Sequence, residues 1–183
     1  MHSMLPAQAG KIETQIMENP ESLFSRCADL IYQAEGLLIT AGAGMGVDSG
    51  LPDFRGTEGF WRAYPALAHS KIRFEDIASP SSFESNPALA WGFYGHRLRL
   101  YRETVPHEGF LILRDIAAML PQGAFVYTSN VDGQFQKAGL SQVCEVHGSI
   151  HHLQCQHGCM SDIWDATNFL PDVDESNCLL TSP

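Results

Sequence analysis

The chain has 183 residues, 44% hydrophobic and 17% charged, with 11 basic against 21 acidic side chains and a net charge of −10. That length suits one packed domain, and no apolar run approaches the ~18 residues that a membrane helix needs. The acidic balance argues against direct nucleic-acid binding and favours a basic peptide partner. The stretch Met1 to Gly10 has no basic start, apolar core or cleavage pattern of a secretory signal. An intracellular setting is therefore expected, with cytoplasm and nucleus not distinguished.

In chain order, residues 1–19 show no period and read as a flexible lead-in. Leu23, Phe24, Cys27, Leu30 and Ile31 then recur at spacings of three and four, which predicts a helix opened by Pro20 and closed by Gly36. Leu37 to Thr40 is a continuous apolar run, the pattern of a strand buried on both faces of a parallel sheet. A glycine-rich loop follows. From Gly59 to about Leu120 the chain predicts several helices broken near Pro65, Pro80, Pro87 and Pro106, with Asn86 to Tyr101 amphipathic and Glu108 to Leu120 clear. Ala124 to Thr128 predicts a second strand, Asp132 to Ala138 a short helix, and Gln142 to Val146 a third strand. Alternating strands and helices make the class α/β. The tail Asp172 to Pro183 carries no structural signal.

A glycine loop directly after a strand exposes backbone N–H groups at the carboxyl end of the sheet, where a phosphate can approach without meeting side chains. Gly42-Ala43-Gly44-Met45-Gly46 has that position but is not the dinucleotide fingerprint G-x-G-x-x-G, and alone it reads equally as a tight turn. Its continuation through Ser49-Gly50-Leu51-Pro52-Asp53-Phe54-Arg55-Gly56 resembles the first signature of the sirtuin family of NAD-dependent protein deacylases. Thr128-Ser129-Asn130-Val131-Asp132-Gly133 resembles the family's Thr-Gln-Asn-Ile-Asp-Gly segment, and Glu145-Val146-His147-Gly148 the segment carrying its catalytic histidine. This chain departs from the pattern at Gly46, where serine is usual, at Ser129 in place of glutamine, and at Gln134-Phe135 in place of Leu-His. The altered Ser129 bears on the nicotinamide pocket and acyl preference.

The resemblance spans about residues 20–160. It implies a Rossmann-like parallel sheet, a helical insertion over about 59–120, and a small zinc-binding module beginning at about 150–183. The implied reaction is NAD-dependent protein-lysine deacylation, in which the acyl group of an acyl-lysine protein or peptide passes to ADP-ribose and nicotinamide is released. His147 would be the base, since an imidazole accepts a proton near neutral pH, although a lone histidine is as well read as structural. Asn130 and Asp132 would bind the nicotinamide carboxamide or, on the plainer reading, cap the next helix. Gly42, Ala43, Gly44, Asp53 and Ser129 would line the cofactor site, Phe54 would shield the ribose and Arg55 would stand near the phosphates.

Five cysteines are an odd number, with four in the last forty residues, which favours a metal over a disulfide framework. Cys155 and Cys159 form one knuckle for structural zinc, but Cys178 is followed by no further cysteine. Against the family pattern the sheet is expected to be incomplete at the C-terminus, leaving an unpaired edge and exposed apolar surface. The alternatives are a non-catalytic NAD- or protein-binding module and an NAD-dependent protein ADP-ribosyltransferase. Sequence leaves the oligomeric state open.

Overall fold

A computed structural model describes residues 19–53 and 56–181. The lead-in up to residue 18 and the pair Phe54 and Arg55 lie outside the described residues.

Helix α1 (Pro20–Gln33) precedes strand β1 (Leu37–Ala41), and a 3-10 helix (Ala43–Ser49) follows it. The helical stretch contains α2 (Gly56–Ala63), α3 (Pro65–His69), α4 (Phe74–Ile77), α5 (Pro80–Ser85), α6 (Pro87–Glu103) and α7 (Glu108–Met119). Pro65, Pro80 and Pro87 each begin a helix, where the missing N–H costs nothing and the fixed φ is already helical. Strand β2 (Ala124–Thr128), the short α8 (Gln134–Lys137) and strand β3 (Val143–Glu145) come next. The chain then makes two antiparallel ribbons, β4 (His152–Gln154) with β5 (Ile163–Asp165), and β6 (Val173–Asp174) with β7 (Leu179–Leu180).

β1, β2 and β3 form a parallel sheet in that order, with Ile39 opposite Val126 and Val126 opposite Val143. Because side chains alternate along a strand, Ile39 and Val126 point to one face. Phe110 of α7 and Phe135 of α8 close on them, with ring centroids 4.8 Å apart and planes at 69°. On the other face Leu38 is 67% exposed, Phe125 44% and Tyr127 51%. The expectation that Leu37 to Thr40 is buried on both faces is therefore corrected. Helices α7 and α8 pack on the Ile39 and Val126 face, while α1 has no buried residue and leaves Phe24 and Leu30 exposed.

A second core joins the helices to the tail. Phe60, Tyr64, Leu67, Ile77 and Phe93 are buried together with Cys178, and the Phe60 and Phe93 rings meet edge-on at 6.0 Å and 80°. Glycines on α6 let the β6–β7 ribbon come close: a Cβ at Gly95 would lie 2.8 Å from Val173 Cγ2 and 2.9 Å from Pro171 Cβ. The tail that carries no signal in the sequence is thus a ribbon on α6, and Cys178 sits in an aromatic core rather than beside the cysteine knuckle. Burial lifts its thiol pKa to about 11. Among the described residues no helix is long and apolar enough to cross a membrane.

Candidate active site

Three strand ends build the site. At the end of β1, Gly42 is extended and starts the 3-10 turn, with Met45 N–H donating to Gly42 O at 2.9 Å. The turn stops at Gly50, whose φ of 87° lies in the left-handed region. Gly46 is buried against Leu51, where an added Cβ would stand 3.0 Å from Leu51 Cδ1. The glycine in place of the family's serine therefore lets Leu51 pack tightly beneath the loop. β2 is stapled to this loop by side chains: Thr128 Oγ1 donates to Ala41 O at 3.1 Å and Asn130 Nδ2 to Gly42 O at 3.0 Å.

Beyond β2, Asp132 is buried and its Oδ1 accepts from Gln134 N–H at 3.0 Å, so it caps the turn into α8. Burial pushes its carboxyl pKa up, opposed by that hydrogen bond and by His151 and Arg97. His151 Nε2 lies 3.0 Å from Asp132 O. At the end of β3, Val146 N–H donates to Thr128 O, and Gly148 turns back with φ 81°, leaving His147 exposed between them. Ala43, Asp53, Ser129, Asn130, Asp132 and His147 all line one cleft of about 870 Å³. Gly42 and Gly44 flank Ala43 on the same loop, while Phe54 and Arg55 fall outside the described residues.

Residues 42–178 match the Sir2 family. The chain belongs to this family. It is 33% identical over 153 residues to the mitochondrial NAD-dependent protein deacylase sirtuin-5 of Canis lupus familiaris, covering 82% of this chain and 47% of that protein. It is 34% identical over 137 residues to an NAD-dependent protein deacylase of Aquifex aeolicus, covering 75% and 53%. Among solved structures it resembles a mutant Sir2 homologue in complex with 2'-O-acetyl ADP ribose, with a TM-score of 0.61 at 25% identity over 76% of this chain and 52% of that one. The α/β, Rossmann-like class read from the sequence is thus the class of the family. The chain spans about half the length of the curated relatives it matches.

One wall of this Sir2-family cleft was missed by sequence reading. Tyr94, Arg97, Leu98 and Tyr101 line it from α6, and Arg97 is 6% exposed. Its Nε and Nη2 donate to Tyr101 Oη at 3.0 and 2.8 Å, and its guanidinium lies 5.2 Å from the Phe93 ring centroid. Burial raises the Tyr101 hydroxyl pKa, with Arg97 opposing. The signal was present, since positions i, i+3, i+4 and i+7 share one helix face. Helical period marks such a face without saying that a cleft lies against it.

The cysteine knuckle lies between β4 and β5, fixed to α5 by Gln156 Nε2 donating to Pro80 O at 2.8 Å. The sulfur atoms of Cys155 and Cys159 are paired with each other, their Cα atoms 6.2 Å apart. Structural zinc takes four donors. Among the described residues no group of three or more His, Cys, Asp or Glu side chains could hold a metal, so this pair is at most half of such a site.

Proposed function

We propose that the chain forms the reaction cleft of an NAD-dependent protein-lysine deacylase, with an acyl-lysine protein or peptide as substrate. The observation that carries this is the convergence of three strand ends. The glycine loop after β1, the Asn130 to Asp132 segment after β2 and His147 after β3 all open on one cleft at the carboxyl end of a parallel sheet. The names of the relatives, NAD-dependent protein deacylases, support the same reading.

Bound NAD supplies a nicotinamide–ribose bond whose cleavage leaves an electron-poor carbon open to a weak oxygen nucleophile. The residues supply position and proton transfer. Gly42, Ala43 and Gly44, with no side chain beyond a methyl, fit close approach by phosphates. Asn130 and Asp132 hold the carboxamide, Asn130 offering its amide oxygen while its nitrogen holds Gly42 O. Asp132 also accepts from Gln134 N–H in the turn before α8, and that bond is compatible with a pocket role. His147, exposed to the cleft, takes the proton that a ribose hydroxyl gives up as the acyl group moves from lysine to ADP-ribose. Phe54 and Arg55 keep the roles that the resemblance implies, shielding the ribose and standing near the phosphates.

Nicotinamide release dependent on an acyl-lysine peptide is the test, with a loss of about 100-fold or more expected in His147→Ala. Release unaffected by that substitution removes the assigned base. Transfer of labelled ADP-ribose to protein without deacylation would favour the transferase, and binding of NAD without release the non-catalytic module. Cys155 and Cys159 are the zinc half-site of the same reading, outside the reaction itself.

A further inference from the structure

The stretch from Gly42 to Ser49 cannot hold its own place. It is a 3-10 turn with three glycines in which only Gly46 is buried, and 3-10 bonds are poorly aligned while glycine has the most backbone freedom to lose. Its position must come from outside contacts. Toward β2 the contact is Asn130, through Gly42 O. Toward α7 it is a residue that the functional reading leaves unused.

His107 stands just before α7 and outside the lining of the cleft. Its backbone N–H donates to Ser49 Oγ at 2.9 Å, and its Nε2 lies 2.9 Å from Met45 O. Its Nδ1 accepts from Gly109 N–H at 2.9 Å, and its ring meets Phe110 at 4.9 Å and 63°. The partners fix the tautomer. A backbone amide can only donate and a carbonyl can only accept, so Nδ1 carries the lone pair and Nε2–H donates to Met45. One imidazole thus caps α7 with one nitrogen and tethers the glycine loop with the other, while its ring sits on the Phe110 side chain of the sheet core.

We infer that His107 is a positioning residue for the glycine loop: it sets where the loop backbone stands over the cleft, and through it how tightly a pyrophosphate-bearing ligand is held. This rests on the reading that the loop receives the phosphates of NAD.

His107→Asn separates the two roles. The asparagine oxygen still accepts from Gly109 N–H, as a helix cap does, but the shorter side chain no longer reaches Met45 O. Ser49→Ala removes the other bond without touching α7. Three measurements on the 183-residue chain decide the matter: the thermal melt, hydrogen exchange of peptides covering residues 43–50, and ADP-ribose affinity by calorimetry. The expected result for His107→Asn is a wild-type melt, faster loop exchange and ADP-ribose bound about 3- to 10-fold more weakly, the range for one lost hydrogen bond. The double variant with Ser49→Ala should lose more than either alone. Loop exchange at the wild-type rate in His107→Asn overturns the tether. Faster exchange with unchanged ADP-ribose affinity overturns the positioning role. If the wild-type chain binds no ADP-ribose, the NAD reading fails and the ligand half of this inference falls with it, while loop exchange still decides the tether. Should His107→Asn unfold, Ser49→Ala gives the same readouts, and wild-type exchange and affinity in that variant count against the inference.

Discussion

Neighbouring residues of the same strands meet opposite fates on the two faces of the sheet. Val126 is fully buried beneath Phe110 and Phe135, while Phe125 and Tyr127 on either side of it are 44% and 51% exposed. The covered face continues at its carboxyl end into Thr128, Asn130 and Asp132, which are buried and hydrogen-bonded to the glycine loop and to α8. The packing that stabilises the sheet is therefore the packing that places the site. The open face, with Leu38, Phe125, Tyr127 and the half-buried Cys144, takes no part in either.

If that division holds in solution, substitutions should separate sharply by face. Phe110→Ala should cost about 3–5 kcal/mol, the range for emptying a buried aromatic site, read by denaturant unfolding. Phe125→Ser should cost less than about 1 kcal/mol and raise solubility, because it removes apolar surface already in contact with water. Comparable losses from both would mean that something covers the open face in solution, and the two-sided burial expected from the apolar run at 37–40 would be right after all.

The same contrast explains what was legible in the sequence. β1 and β2 could be placed because a short apolar run between glycines has one good structural solution, and three of the helices between them because Pro65, Pro80 and Pro87 set their starts. Whether a run is buried on one face or two depends on what else packs there, and nothing in Leu37 to Thr40 carries that information. Asn130, Asp132, Ser129 and His147 could be named because they stand in motifs next to strand ends. Arg97 and His107 could not. Arg97 is one charge on an aromatic helix face, and His107 joins Met45 across 62 positions of sequence. The ribbons after residue 150 were missed because two- and three-residue strands are too short for a period, and β6–β7 is held by the glycines of α6 rather than by its own pattern.

The smallest expected effect probes the covered face where it becomes the site. Burial raises the Asp132 pKa above its unfolded value of about 3.9, so its charged form is disfavoured in the fold. A group of this kind contributes stability that is fully present below the unfolded pKa and lost as pH rises through the folded one. Asp132→Asn stays neutral throughout and keeps an oxygen to accept from Gln134 N–H. It should therefore melt with the wild type at about pH 3 and above it at pH 7, by on the order of 2 °C. If the cleft works as proposed, the same substitution slows nicotinamide release, so the carboxylate is kept at a cost in stability for what it binds. A variant that melts lower at pH 7 would mean instead that His151 and Arg97 outweigh burial, and that Asp132 belongs to the fold before it belongs to the site.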